Sequence, residues 1–177
     1  MKIAVGADHG GWQLKNHLVA ALRAKGHDVD DLGAHGPERV DYPDYAERVA
    51  RAVAAGEVDA GVLCCGTGIG MSIAANKVPG VRAAVVSDPY SARMAKEHNH
   101  ANVLCLGGRV VGDELGRECL VAWLDAVAQG ERHTARVAKI DALDATRGGA
   151  MPSASMATTR PFISPAVKPH VVKKGDQ

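Results

Sequence analysis

The chain has 177 residues, 46% of them hydrophobic and 3% aromatic, with 21 Lys+Arg set against 20 Asp+Glu. That length suits one ordinary domain with a full core, and the near-cancelled charge excludes a global field for nucleic acid or a polybasic membrane patch. So few aromatic rings also offer little for stacking unpaired bases, which leaves a small neutral ligand or a locally held anion.

Short β-branched runs alternate along the chain with amphipathic patterns. The first run, Lys2 to Ala7, turns polar at Asp8 after a few apolar residues, too soon for a secretory leader. No apolar stretch approaches the roughly 20 residues that cross a bilayer, so a cytoplasmic protein is expected. A helix follows from Trp12 to Ala24, with Leu14, Leu18, Ala21 and Leu22 on one face. The spacing then predicts a strand over His27 to Leu32 and a helix over Pro43 to Ala54, with Tyr45, Val49, Ala52 and Val53 sharing a face that stops at Gly56. Gly61 to Cys65 reads as a continuously apolar strand, Ile69 to Lys77 as a short helix, and Arg82 to Val86 as a fourth strand. Pro89 to Glu97 reads as a helix, Val103 to Leu106 as a fifth strand, and Asp113 to Ala128 as a longer helix with Leu115, Cys119, Ala122, Trp123 and Ala126 inward. Arg136 to Asp144 forms a last helix with a narrow Val137, Ile140, Leu143 stripe suited to a partner chain.

Strands apolar throughout are buried on both faces, and their alternation with helices implies a parallel sheet between helical layers. The expected fold is therefore α/β, a three-layer α/β/α open sandwich with a five-stranded parallel sheet, Rossmann-like, carrying a C-terminal helix. One domain spans 1–144. From Ala145 to Gln177 the composition becomes Pro-, Ser- and Thr-rich, that of a low-complexity tail, disordered or irregular, unable to bury a core.

Ligands in such folds sit beyond the carboxyl ends of the strands, so chemistry is sought there. Cys65-Gly66-Thr67-Gly68-Ile69-Gly70 leads from a buried strand into a helix, and its glycines let backbone amides approach an anion. It lacks the lysine of a Walker loop and the G-x-G-x-x-G spacing of a dinucleotide site. Met71 stands where a cysteine phosphatase loop needs arginine. At this strand end, amides and the helix dipole would stabilise a Cys65 thiolate able to act as a base. Cys64, Cys105 and Cys119 read as small buried hydrophobes, and adjacent strand positions face opposite ways, so Cys64 cannot share the role of Cys65. The cysteines lack zinc-site spacing and disulfide-scaffold density, so reduced thiols are expected. Asp8 and His9 close the first strand, a position that suits a ligand or a solvated turn. His98 and Asn99 end a helix, where a C-cap is the plain alternative. Arg132 and Arg136, four apart, suit a phosphate or a solvated face. His133 and the other histidines are assigned to surface or packing.

Taken in order, IAVGADHGG, DYPDYAERVA, CGTGIGMSIAANK, DPYSARMAKEHN, NVLCLGGRVVG and RHTARV resemble the B-type ribose-5-phosphate isomerases, within a wider family that includes galactose-6-phosphate isomerase. The resemblance covers residues 1–144 and implies an aldose–ketose isomerase of the pentose phosphate pathway, acting on ribose 5-phosphate and ribulose 5-phosphate without metal or organic cofactor. It implies Cys65 as the base at carbon 2, Thr67 aiding proton movement between oxygens, and the amides from Gly66 through Gly68 to Gly70 holding the enediolate. It implies His98, oriented near Asp8, for ring opening, and His9, Arg132 and Arg136 for phosphate. Tyr42 would line the site, and Asn99 and Arg109 would complete it. A homodimer, or a tetramer built from it, is implied, with His98, Asn99 and Arg109 reaching the site from the partner. One branch of the family carries a glutamate base where this chain has Met71, placing it in the cysteine branch. Two other activities bear weighing. A six-carbon aldose 6-phosphate of the allose or galactose type is the close rival substrate. A non-catalytic sugar-phosphate sensor would keep Arg132 and Arg136 without needing Cys65, Thr67 and His98 together.

Overall fold

The computed structural model describes residues 1–130 and 132–146. Its elements are β1 (Lys2–Ala7), α1 (Trp12–Ala24), β2 (Asp28–Asp31), α2 (Tyr42–Ala54), β3 (Ala60–Cys65), α3 (Ile69–Ala75), β4 (Ala83–Val85), α4 (Pro89–Asn99), β5 (Val103–Gly107), α5 (Asp113–Leu124) and α6 (Arg132–Thr146). The tail expected from Ala145 lies, after its first two residues, outside the described residues.

All strand pairs are parallel, in the order β2-β1-β3-β5-β4. The central strands β1, β3 and β5 are buried almost throughout, because helices cover both faces of the sheet. Two apolar clusters result. One joins β1, β3 and β5 to α1 and α5 through Ile3, Leu18, Val62, Cys64, Leu104 and Trp123. The other joins the opposite sheet face to α2 and α3 through Ala4, Val49, Leu63, Cys65 and Met71. Cys64 and Cys65 thus point to opposite layers, as strand alternation requires.

Several boundaries differ from the sequence pattern by one or two residues, among them the end of α3 at Ala75 rather than Lys77, and the largest differences fall around α5 and α6. Helix α4 runs on to Asn99 and ends at His100 in a left-handed conformation, φ 50°. Helix α5 ends at Leu124 rather than Ala128, because the Gln129 N–H donates to the Glu97 carbonyl at 2.8 Å and its own carbonyl meets His100 Nε2 at 2.8 Å. Those bonds pull the chain off the helical path, and α6 starts at Arg132, four residues early. The inward stripe of α5 is also offset. Gly116 is buried against Leu14, which would lie 2.8 Å from an added Cβ, while Leu115 is exposed.

A charged pair lies inside the first layer. Lys15 is fully buried, and its Nζ donates to both Asp31 carboxylate oxygens at 2.6 and 2.7 Å. Burial alone would raise the Asp31 carboxyl, but bonds from Lys15 and the Gly33 N–H outweigh it and hold the group below its ordinary value.

Candidate active site

In this strand order β1 connects outward to β2 on one side, and the chain then crosses to β3 on the other. The crevice between the carboxyl ends of β1 and β3 is therefore the switch point at which open α/β sheets take their ligands. Register pairs Ala7 with Cys64 and Cys65 with Gly107, so the segments after β1, β3 and β5 meet side by side.

Backbone contacts weld them together. Asp8 N–H donates to the Cys64 carbonyl at 3.2 Å, Gly108 N–H to the Cys65 carbonyl at 2.8 Å, and Arg109 N–H to the Gly66 carbonyl at 3.0 Å. A Cβ on Gly11 would fall 2.4 Å from the Cys64 carbonyl carbon, and one on Gly107 would fall 2.7 Å from that of Thr67. Only glycine permits such approach.

Within this frame the Cys65 Sγ accepts the Gly68 N–H at 3.1 Å. Gly68, at φ 78°, turns the chain into α3. Cys65 is 5% exposed and closes the carboxyl end of β3. Cys64, Cys105 and Cys119 are completely buried. Complete burial pushes Cys64 and Cys105 far up, and burial followed by the Asp88 and Glu118 charges pushes Cys119 up to about 11.

The walls come from neighbouring segments. Asp8 Oδ1 accepts the Gly10 N–H at 2.8 Å. Tyr42 lies across Gly70, its ring carbons 2.8 Å from where a Cβ would stand, and the Arg109 side chain lies within 3.6–3.7 Å of the same point on Gly66. Thr67 is exposed above the loop. His9 shares a cleft of about 370 Å³ with Arg39, Val40 and Asp41, and its Nδ1 is buried with no hydrogen-bond partner among the described residues. Arg39 was not singled out in the sequence, where one arginine in a polar loop carries no pattern.

The remaining expected residues collect elsewhere. Helix α4 runs back antiparallel to the strands, so its last turn sits at the sheet's amino edge, where Arg82 Nε donates to the His100 carbonyl at 3.1 Å. His98 stacks there on His133, with centroids 4.2 Å apart and planes 10° from parallel. Arg132 Nε donates to His133 Nε2 at 3.2 Å. Asn99 lines a neighbouring cleft of about 360 Å³ with Arg82, Ile140 and Asp141. A strand the length of β3 puts this edge about 16 Å from Cys65, at about 3.3 Å per residue. One chain therefore holds two groups of the expected residues. Asp8, His9, Tyr42, Cys65, Thr67, the three glycines and Arg109 stand at the carboxyl edge. His98, Asn99, Arg132 and Arg136 stand at the amino edge. The expectation that Arg109 arrives from a partner fails, because the bond to Gly66 fixes this chain's own Arg109 beside its own Cys65 loop.

Among the described residues no group of three or more His, Cys, Asp or Glu side chains is arranged to hold a metal ion, and no helix is long and apolar enough to cross a membrane.

A doubly wound parallel sheet with a cysteine and a glycine-rich loop at its switch point defines an open α/β protein of the kind that takes a ligand beyond the carboxyl ends of its strands. The chain belongs to the ribose/galactose isomerase family, whose model matches residues 3–140. It is 53% identical to ribose-5-phosphate isomerase B of Escherichia coli over 146 residues, 82% of this chain and 98% of that protein. The solved structure of Clostridium thermocellum ribose-5-phosphate isomerase B superposes with a TM-score of 0.82 at 52% identity, covering 83% of this chain and 99% of that one. The type B ribose 5-phosphate isomerase of Trypanosoma brucei superposes with a TM-score of 0.78, also at 52% identity, covering 80% and 97%.

Proposed function

We propose that the chain is an aldose–ketose isomerase that interconverts D-ribose 5-phosphate and D-ribulose 5-phosphate, with Cys65 as the base. The observation that carries this reading is the Cys65 sulfur at the switch-point crevice, bonded by the Gly68 amide in a loop of closely packed glycines. A donor aimed at sulfur serves the thiolate, the form that takes a proton.

The Cys65 thiolate removes the proton from carbon 2 of the open-chain aldose, and the electron pair forms the carbon 1–carbon 2 double bond of an enediolate. The amides from Gly66 to Gly70 receive the charge developing on oxygen 1. Thr67 passes the proton from oxygen 2 to oxygen 1, and the thiol returns its proton to carbon 1, leaving the ketone at carbon 2. Tyr42 and Arg109 wall the site, and His9, with its buried unpaired nitrogen, faces the phosphate.

Ring opening is assigned to His98, which stands too far from Cys65 to serve the same chain's site. A homodimer resolves the separation: His98, Asn99, Arg132 and Arg136 of one copy complete the crevice of the other, placing His98 near Asp8. A cytoplasmic location belongs to the same proposal, and the four unpaired thiols accord with it.

The test is turnover of ribose 5-phosphate by the purified full chain in deuterated water. Deuterium entering the sugar with formation of ribulose 5-phosphate is expected. Binding without turnover would favour a sensor, and a higher kcat/KM for allose 6-phosphate would move the assignment to six-carbon substrates.

A further inference from the structure

His133 reads from sequence as a surface or packing residue, yet it occupies the middle of the amino-edge group. Its side chain is 4% exposed and its backbone N–H bonds to the Gly130 carbonyl at 3.2 Å, which seats the ring on the first turn of α6. One face of the ring lies on His98. Its Nε2 lies 3.2 Å from Arg132 Nε. A guanidinium nitrogen can only donate, so His133 Nε2 presents a lone pair, and the ring is neutral with its proton on Nδ1. Burial first, and then the neighbouring His98, Arg132 and Arg136, hold this imidazole below its ordinary value, with a bond to the His98 backbone acting the other way.

We propose that His133 is a positioning residue that serves two groups at once: its ring face fixes the plane of His98, and its Nε2 fixes the guanidinium of Arg132. The inference rests on the reading above, in which His98 opens the sugar ring and Arg132 meets the phosphate. Both side chains carry free torsions at helix ends, and each would otherwise have to be ordered when substrate arrives. A single neutral imidazole orders both beforehand.

The two tasks use different parts of the ring, so two substitutions separate them. His133→Phe keeps a flat face for His98 and removes both ring nitrogens, and with them the acceptor for Arg132 and the bond to the His98 backbone. It should raise KM about 10-fold while kcat stays within about two-fold, the signature of lost binding shared by ground and transition states. His133→Asn keeps a polar acceptor near Arg132 and removes the ring, and should lower kcat about 10-fold with a smaller change in KM. Equal loss of kcat and KM in both variants, or wild-type kinetics in both, overturns the proposal.

Histidine 15N spectra of the full-length wild type supply a readout independent of turnover. They should show His133 Nε2 unprotonated and Nδ1 protonated; a proton on Nε2 overturns the proposal even if neither variant folds. Should wild type bind ribose 5-phosphate without isomerising it, the functional reading fails, while the spectra still decide where His133 holds its proton.

Discussion

Two copies crippled in different residues should restore each other if the active site is shared. In a mixture of Cys65→Ala and His98→Asn chains, a mixed dimer has one crevice lacking both groups and one crevice that is intact. Random pairing puts half the chains into mixed dimers, so about one quarter of all crevices should work. The expected rate is thus about one quarter of wild type per chain in the unfractionated mixture and about one half in isolated mixed dimers, against near-background rates for either variant alone. The reasoning comes from the separation of Cys65 and His98 by the length of a strand, about 16 Å, which no side chain spans. The assay is the initial rate of ribulose 5-phosphate formation after co-expression with two different affinity tags, so that mixed dimers are isolated before measurement. Mixed dimers with no recovered activity would refute the shared crevice.

Cys65→Ala should slow exchange of the carbon 2 proton by about 10²–10⁴-fold, the range for loss of a general base, while ribose 5-phosphate binding measured by calorimetry changes little. Gly107→Ala should lower kcat by about 10–100-fold through displacement of Thr67, with a stability loss of about 1–3 kcal/mol from overpacking; a wild-type kcat would contradict the contact at 2.7 Å. Lys15→Met should destabilise the fold by about 3 kcal/mol, since it strands the Asp31 carboxylate, and a compensating Asp31→Leu should recover most of that loss in denaturant titrations. The pH dependence has a definite sign: because Asp31 is held below its usual 3.8, its contribution is present above that value and fades as the pH falls through the folded value. Acid titration of wild type should show this loss, and Lys15→Met should show less of it.

The elements with the strongest periodicity were legible in the sequence. The bounds of β1 and α1 coincide with the pattern because the strand is buried and without polar side chains from Ile3 onward and the helix has a clean Leu14, Leu18, Leu22 face. The ends of α5 and α6 were not legible, since Gln129 is captured by groups on α4 some thirty residues earlier in the chain. Strand alternation distinguished Cys65 from Cys64, and the structure puts them in separate layers. What the sequence did not reveal was distance. Arg109 resembled a residue reaching across from a partner, and only the pairing of β3 with β5 fixes it beside its own Gly66. Lys15 went unnoticed because lysine in a helical pattern reads as solvated, although its place beside Leu14 and Leu18 was the available clue. His133 was passed over for a similar reason: nothing local marks an imidazole whose neighbours belong to another helix.

The glycine contacts beneath the crevice limit how this protein can change its diet. Because the floor is main chain packed on main chain, with a Cβ at Gly11 or Gly107 driven to within 2.4–2.7 Å of its neighbour, substitution there cannot widen the cavity for a longer sugar without breaking the floor itself. Adaptation to another carbon skeleton would have to proceed through removable bulk on the rim, with Tyr42, Arg39 and Arg109 as the natural places to begin selecting for it.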